Sequence, residues 1–371
     1  MKKVAIIGGG LSGLLTSIQL VRENIPVQLF EKRLYPFHRV CGEYISNETI
    51  PFLKSLNLYP EEFHPAQIKR FQLTSVNGKS VTLPLDLGGF GISRYSFDNW
   101  LCQKAIKEGV EVHQNAEVNK IHFQENQFTL STNKKSFSSD VAVGSYGKRS
   151  LLDIKMNRSF IKKRSPYIGV KYHVRNEHAN DLIALHNFKD GYCGISNVEN
   201  GLSNLCYLSH RDNLKETGSI QALEEQILFK NSFLKNIFKN AEFVFVPPET
   251  INEISFETKR PVENHILMAG DAAGMITPLC GNGMAMAIHS SKILSGHIVH
   301  YCKNESTSRE TLESSYTKQW QEQFAARLRV GRQLQHLFGS TFTSNLAVGL
   351  AQNFKPLAQH LISKSHGKPF S

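Results

Sequence analysis

The sequence lacks long apolar runs, paired cysteines and internal repeats. No stretch approaches the roughly 18 uninterrupted apolar residues that a membrane-spanning helix requires. The six cysteines lie far apart, with neither a Cys-x-x-Cys pair nor a Cys/His cluster at zinc spacing. We therefore expect free thiols, a reducing cytoplasmic location and no metal site. Without repeats, solenoid and array proteins are excluded. The protein should be soluble, or at most peripheral to a membrane.

What is present is the composition of a globular protein with a large basic excess. The 371 residues are 40% hydrophobic and 20% charged, which excludes intrinsic disorder. This length favours about two to three domains. The net charge of +11 suits an anionic membrane surface, an acidic ligand or nucleic acid. No recognition motif accompanies the charge, so nucleic acid is the least favoured partner.

Residues 4–31 predict a strand, a glycine turn, a helix and a second strand. Apolar residues 4–7 and 26–30 form the strands, and a Gly-x-Gly-x-x-Gly pattern opens the helix between them. Such glycines permit a tight turn and a close approach of the backbone to a pyrophosphate. The helix N-terminus attracts phosphate, and the acid that ends the second strand suits a ribose. The residues expected to contact the dinucleotide here are Gly8, Gly10, Leu11, Ser12, Gly13, Glu31 and Lys32.

A second motif separates FAD from NAD, because both share the first. Apolar residues 266–269 end in Gly-Asp, and a glycine-containing loop leads to a helix over residues 284–300. An ionised Asp only accepts hydrogen bonds, which suits the ribityl hydroxyls of a flavin. The helix N-terminus would face the negative charge that develops on a reduced flavin. The predicted contacts with FAD here are Gly270, Asp271, Pro278, Gly281, Asn282, Gly283 and Met284.

At these motifs the chain resembles the FAD-dependent oxidoreductases of the para-hydroxybenzoate hydroxylase-like fold. This group includes aromatic monooxygenases, geranylgeranyl reductases and flavin halogenases. The resemblance covers most of the chain and includes Arg39, a Cys-Gly-Glu segment at 41–43 similar to that of geranylgeranyl reductases, and Arg-x-x-Phe-Asp from Arg94. It implies that Arg94 lies beside the cofactor, with a solvated arginine at the start of a helix as the alternative. Arg39 could donate two bonds to a pyrophosphate or ribityl group. Cys41 is a candidate for the flavin face, with a small buried apolar role as the alternative.

Two departures from the family pattern bear on the reaction. Residues 144–150 match Gly-x-Asp-Gly-x-x-Ser except that Tyr146 replaces the Asp, which is linked in monooxygenases to reaction with NAD(P)H. NAD(P)H is therefore only one candidate electron donor. Trp100 and Trp320 lie far apart, so the Trp-x-Trp-x-Ile-Pro signature of flavin halogenases is absent. Halogenation becomes a minor option.

The order of these segments predicts an α/β fold: a Rossmann-type FAD/NAD(P)-binding domain, an inserted mixed β-sheet substrate domain and a C-terminal helical segment. The FAD-binding domain is expected in residues 1–75, 96–153 and 263–303. The substrate domain is expected in 76–95 and 154–262, with one helix over 220–239, and the helical segment in 304–371. An Asn-Gly turn predicts a hairpin at 190–208. The resemblance implies that this hairpin belongs to the sheet over the substrate, which would place Tyr192 and Cys193 near the substrate; ordinary hairpin core is an equal alternative. Tyr192 joins Cys41 as a tentative catalytic residue.

The resulting expectation is an FAD-dependent oxidoreductase that acts on an apolar or aromatic small molecule. Hydroxylation by a monooxygenase is the first hypothesis, since it rests on the overall resemblance. Reduction of a carbon–carbon double bond is the alternative and rests on the Cys-Gly-Glu segment. A third hypothesis is a flavin-binding electron carrier or partner subunit without its own turnover. Basic residues at 155–164 and 327–332 form either a solvated face or a contact with anionic lipid or an acidic carrier protein.

Overall fold

The computed structural model describes residues 1–337, 341–356, 358–359, 363 and 366–371. The helices are α1 (Leu11–Arg22), α2 (Ile50–Ser55), α3 (Arg94–Lys107), α4 (Leu151–Lys155), α5 (Arg211–Thr217), α6 (Ile220–Gln226), α7 (Ser232–Asn240), α8 (Gly283–Lys303), α9 (Arg309–Leu337) and α10 (Thr341–Asn353). The strands are β1 (Val4–Ile7), β2 (Val27–Phe30), β3 (Tyr44–Ser46), β4 (Ala66–Thr74), β5 (Ser80–Gly91), β6 (Glu111–His113), β7 (Val118–Gln124), β8 (Gln127–Thr132), β9 (Ser136–Ser139), β10 (Val141–Gly144), β11 (Tyr167–Arg175), β12 (Leu182–Phe188), β13 (Gly191–Asn197), β14 (Ser203–His210), β15 (Glu242–Phe243), β16 (Glu249–Asn252), β17 (Val262–Glu263) and β18 (Ile266–Met268).

The first sheet has six strands in the order β17-β18-β10-β1-β2-β6. All pairs are parallel except β17 with β18. The central strands β1 and β10 are buried throughout, as expected for a parallel sheet covered on both faces. Helix α1 forms the crossover from β1 to β2 and packs beside α3 and α8. This arrangement is a Rossmann-type layer.

The second sheet has nine strands, eight of them in the order β15-β11-β14-β13-β12-β4-β5-β3, while β16 pairs with β11. Its pairs are antiparallel apart from β12 with β4. The front face carries Leu185, Tyr192 and Leu208 and packs against α10 and the loop residues Met275 and Leu279. The back face carries other side chains of β11–β14 and is covered by α5, α6 and α7. A three-stranded meander, β7-β8-β9, packs on the first domain.

The predicted fold class is confirmed: a parallel Rossmann-like sheet, additional sheets and C-terminal helices are all present. Two details differ from expectation. Strands β3 and β4 belong to the second sheet, so the chain leaves the first domain well before residue 76, and β17 returns it at Val262. The helix expected over 220–239 is divided into α6 and α7 by a turn at Leu228–Lys230.

Helix α9 supports the loop that follows β18. A Cβ on Gly274 would stand 2.8 Å from the Trp320 ring, and one on Gly331 would stand 3.1 Å from Ile276. These contacts are close enough that only glycine fits without a shift. Near the C-terminus, the Phe370 ring stacks on His289 of α8 with 3.9 Å between centroids. Across the described residues, no helix is both long and apolar enough to cross a membrane.

Candidate functional site

The candidate site lies at one edge of the first sheet, where four parallel strands end. Strands β1, β2, β10 and β18 point the same way, so their carboxyl ends meet at one edge. Gly8, Glu31, Ser145 and Gly270 follow these ends closely. The two sequence motifs, separated by more than two hundred residues, are therefore neighbours in space. A Cβ on Gly270 would stand only 3.4 Å from the Cβ of Ser12.

The backbone of the glycine turn packs so closely against its neighbours that side chains at Gly8 and Gly13 would clash. Gly8 has φ of +104°, and a Cβ there would stand 2.5 Å from the Ser145 carbonyl oxygen. A Cβ on Gly13 would stand 2.1 Å from the Gly8 carbonyl oxygen. Gly10 caps α1 without a side-chain hydrogen bond, so N–H groups of the first turn remain open to a ligand. Within the described chain, the buried Ser12 hydroxyl also has no hydrogen-bond partner.

Glu31 is fixed in the position that a ribose-binding acid requires. Its carboxylate is buried and accepts hydrogen bonds from the backbone N–H groups of Gly9 and Arg33, each at 3.0 Å. Two carboxylate oxygens offer about four acceptor positions, so capacity remains for a sugar hydroxyl. The adjacent Lys32 side chain is exposed. The predicted roles of these residues stay predictions, but their placement suits them.

Asp98 gathers the two arginines that the sequence singled out. Arg94 donates to both carboxylate oxygens of Asp98 at 2.7 Å, and Arg39 donates to one of them at 3.1 Å. Arg39 also donates to Glu31 at 3.1 Å. The Arg94 guanidinium lies 3.4 Å from where a Cβ on Gly10 would stand. Arg94 is therefore not a solvated helix-start residue, and its positive charge lies beside the glycine turn.

Asp271 presents a carboxylate to the same crevice. Its backbone oxygen accepts a hydrogen bond from Lys259 at 2.7 Å, whereas its carboxylate accepts none from the described residues. Burial raises the pKa of Asp271, and the charges of Lys259 and Arg94 offset part of the rise. The next residues form a loop that ends at Gly283, where α8 begins. An acceptor without a protein donor at this place suits a hydroxyl-bearing ligand.

The remaining predicted contacts divide into buried and exposed residues. Leu11 and Met284 are core side chains, so only their backbone can meet a cofactor. Asn282 is buried and caps α8, while Gly281 adopts φ of +62°. Pro278 is exposed. The loop thus offers mainly backbone groups.

Tyr146 belongs to a buried network that packs under the loop at residues 270–272. The Tyr146 hydroxyl donates to Asp153 at 3.2 Å, so it points into the protein rather than replacing the missing carboxylate. Asp153 also forms a buried ion pair with Arg158 at 2.8 Å, and Arg158 donates to the Ala272 carbonyl at 3.0 Å. From the sequence, Arg158 belongs to the basic segment 155–164, which is expected on the surface. The structure corrects this, because its guanidinium is buried beneath the Gly-Asp loop.

The Cys41-Gly42-Glu43 segment is anchored to the second sheet by a buried charge cluster. Glu43 is fully buried and accepts hydrogen bonds from the Lys171 ammonium, from His173 Nε2 at 2.6 Å and from the Arg94 backbone N–H at 2.8 Å. Burial alone would raise the pKa of Glu43, but the charge of Lys171 and the bond to His173 lower it to about 2. The segment is held from both domains.

Lys171 was missed by the sequence reasoning. The available signal was alternation in β11, where Gly169, Lys171 and His173 share one face and apolar side chains occupy the other. Such a pattern usually indicates a solvent-exposed face. Here that face meets Glu43, which lies far away in sequence.

The predicted hairpin residues face opposite ways. Tyr192 lies on the front face, with its hydroxyl beside the Leu279 backbone and the Cys280 thiol. Cys193 lies in the back-face core with Phe188 and Tyr207. Successive strand residues alternate between faces, so only one of the two can approach the crevice. The structure therefore excludes Cys193 from the candidate site.

These features fit a flavin dinucleotide. The open N-terminus of α1 suits a pyrophosphate, Glu31 suits the adenosine ribose, and Asp271 suits the ribityl chain. A family model described as FAD binding domain matches residues 1–327. The chain belongs to this FAD-binding family. Its resemblance to FAD-dependent oxidoreductases, its cofactor FAD and its enzyme class are thereby confirmed.

Relatives of this FAD-binding protein include two archaeal enzymes. The digeranylgeranylglycerophospholipid reductase of Methanosarcina acetivorans is 23% identical over 338 residues, covering 86% of this chain and 80% of that protein. The enzyme of the same name from Methanococcus vannielii is 20% identical over 331 residues, covering 86% and 82%. Among solved structures, the flavin-dependent halogenase CmlS superposes with a TM-score of 0.79 at 18% identity, over 100% of this chain and 74% of the halogenase. This structural likeness shows the fold alone.

Proposed function

We propose that this FAD-dependent oxidoreductase reduces a carbon–carbon double bond in an apolar, chain-like substrate. The observation that carries the proposal is the Cys41-Gly42 segment, which the buried Glu43 cluster holds between the two domains. Hydroxylation was the first hypothesis from sequence. Reduction now comes first for two reasons. The segment at 41–43 is similar to that of geranylgeranyl reductases, and two relatives with long coverage are named digeranylgeranylglycerophospholipid reductase.

The geometry around Cys41 supports this proposal. The Cys41 carbonyl accepts a hydrogen bond from Asn204 of β14 at 3.1 Å, which ties the segment to the front face. A Cβ on Gly42 would meet nothing within 4 Å, so this side of the segment is open. Burial raises the pKa of the Cys41 thiol, which therefore keeps its proton at neutral pH. Cys41 itself is partly buried against the core of the first domain, next to this open position, and we assign its thiol to substrate contact.

The substrate class follows from the front face. That face joins apolar side chains of the second sheet to Met275 and Leu279 of the cofactor loop. A substrate that lies along the edge of this apolar cluster would be held mainly by apolar contacts, which favours a hydrocarbon chain over a charged molecule. Tyr192 carries one of the polar groups in this cluster, and we assign it to substrate positioning.

The reaction requires one hydride and one proton across the double bond. Reduced FAD supplies the hydride equivalent when bound. The protein aligns the double bond, excludes water and holds a protonated thiol at Cys41. Each turnover also consumes two electrons from a donor, for which NADPH and NADH are candidates.

The test is anaerobic turnover with product analysis. The FAD-loaded enzyme is mixed with NADPH, NADH or dithionite, and then with geranylgeraniol or a digeranylgeranyl glycerolipid. We expect a product heavier by two hydrogen atoms per reduced double bond. The Cys41→Ser variant should bind FAD normally but turn over more slowly. A product that gains oxygen and requires O₂ would instead indicate hydroxylation, and reduced flavin that transfers electrons only to another protein would indicate a carrier.

A further inference from the structure

Helix α10 carries apolar side chains on two sides. Its inner side places Val348 and Ala351 against the front face of the second sheet. Its outer side carries three large exposed side chains, and a fourth directly follows the last residue of the helix; all four are between 48% and 77% exposed. We call this row the apolar ridge: Phe342, Leu346, Leu350 and Phe354.

The apolar ridge is one continuous surface. Its members recur every four residues, so the three within α10 lie along one side of the helix over about 12 Å, and Phe354 continues the row just past Asn353. Single exposed apolar residues are common in folded proteins, but a row of four at this spacing indicates a contact surface. The inner side of the same helix is already buried, so the outer row is not needed to attach α10 to the protein.

The chain segment that carries the apolar ridge is basic. The last 49 residues, 323–371, contain six Lys and Arg residues and no Asp or Glu. Lys355 directly follows the ridge and is exposed, as are Arg329 and Lys368. On the neighbouring strand connection, Lys79 Nζ lies 3.9 Å from where a Cβ on Gly349 would stand. More than half of the net charge of +11 therefore originates in the segment that carries the ridge.

We propose that α10 docks this enzyme onto an anionic lipid surface, with the apolar ridge at the boundary between headgroups and acyl chains. An apolar row beside Lys and Arg is the pattern of helices that lie in such an interface. A second copy of this chain is disfavoured as the occupant, because it would bring two acid-free basic segments together. Docking does not depend on the proposed reaction. A further step, in which the substrate reaches the front face from the bilayer, rests on the proposed function.

The test measures vesicle binding without substrate, so its outcome is independent of the reaction. FAD-loaded, full-length protein is sedimented with vesicles of phosphatidylcholine alone or mixed with phosphatidylglycerol. We expect binding to the mixed vesicles and release at high salt, since the basic charge is screened there. Replacing all four ridge residues with Gln should lower the partition coefficient by about tenfold or more. An unchanged flavin spectrum will show that this variant is folded.

The matched control replaces exposed apolar residues on another helix. Leu151→Gln with Ile154→Gln on α4, next to Lys155, should leave vesicle binding unchanged. The proposal is overturned if the wild-type protein sediments with neither kind of vesicle, or if the ridge variant binds the mixed vesicles as well as the wild type does. It is also overturned if the ridge variant loses a dimer seen by ultracentrifugation while vesicle binding is absent. Binding to an acyl carrier protein but not to vesicles would likewise contradict it.

Discussion

At the scale of single residues, Asp98 organises the positive charge beside the glycine turn. Its carboxylate holds Arg94 through two hydrogen bonds and Arg39 through a third. An Asn at this position would offer one acceptor oxygen and no charge. We expect Asp98→Asn to weaken FAD binding about tenfold, or roughly 1.4 kcal/mol, measured by fluorescence titration of the apoprotein. Glu108→Gln, which breaks the surface pair with Arg22, is the control and should leave FAD affinity unchanged.

Glu43 gives a second prediction at this scale. Removing its charge would leave Lys171 buried without a counter-ion, at a cost of about 3–5 kcal/mol. We expect Glu43→Gln to lower the free energy of unfolding in urea by that order. Adding Lys171→Met should restore part of the loss, because it removes the unpaired charge. No restoration by the second substitution would show that the ion pair is not the cause.

The same carboxylate makes stability depend on acid pH. Its pKa is lowered from 4.5 to about 2 in the folded protein. The unfolded chain therefore takes up this proton first, and the stabilisation is lost as pH falls from about 4.5 towards 2. The Glu43→Gln/Lys171→Met variant should show a shallower decline over this window in urea unfolding.

At the scale of elements, Asn231 explains why residues 220–239 form two helices, α6 and α7, where the sequence predicts one. Its side-chain oxygen accepts from the Phe233 N–H at 3.0 Å and so caps α7. Its amide donates to Thr74 at 2.9 Å and to the Asn187 carbonyl at 3.0 Å. The break therefore depends on strands that are remote in sequence. Apolar periodicity alone could not reveal it.

We expect Asn231→Ala to destabilise the protein by about 2–4 kcal/mol, because it removes a helix cap and leaves buried acceptors unpaired. The measurement is the free energy of unfolding in urea. Asn240→Ala, at the exposed end of the same helix, is the matched control and should change it little. Equal effects of the two substitutions would show that the buried network contributes nothing.

Elements with local constraints could be predicted, and those fixed by remote contacts could not. The β1-turn-α1 unit follows from three glycines at fixed spacing, and the Gly270-Asp271 loop from a strand that ends in a turn. Both positions were therefore available from the sequence. Lys171 was not, since only the tertiary contact with Glu43 makes a buried ammonium acceptable. The side of the sheet taken by Cys193 depended on strand register, which composition does not reveal.

At the scale of the whole molecule, one buried carboxyl couples global stability to pH near neutrality. Glu224 on α6 accepts hydrogen bonds from the Tyr172 and Tyr207 hydroxyls, each at 2.9 Å. Burial raises its pKa from 4.5 to about 7, although the two tyrosine bonds act in the opposite direction. The folded protein thus retains a proton that the unfolded chain has released. Stability should fall as pH rises from about 4.5 to about 7.

We expect Glu224→Gln to remove this decline, because the amide keeps an acceptor for the tyrosines but does not ionise. The free energy of unfolding of the FAD-loaded protein at about pH 5 and about pH 8 gives the comparison. Glu225→Gln, at the exposed neighbouring position, should keep the wild-type profile. Parallel profiles for all three proteins would contradict the assignment.

At this scale, the proposed function requires that an apolar alkene, held by the front face of the second sheet, lies within reach of FAD bound in the first domain. The most direct measurement is the visible absorbance of the reduced enzyme after anaerobic mixing with a geranylgeranyl substrate. We predict that the flavin absorbance returns to that of the oxidised form at a rate that depends on substrate concentration, with one carbon–carbon double bond reduced for each FAD that is oxidised. A spectrum that stays reduced until O₂ is admitted would contradict it.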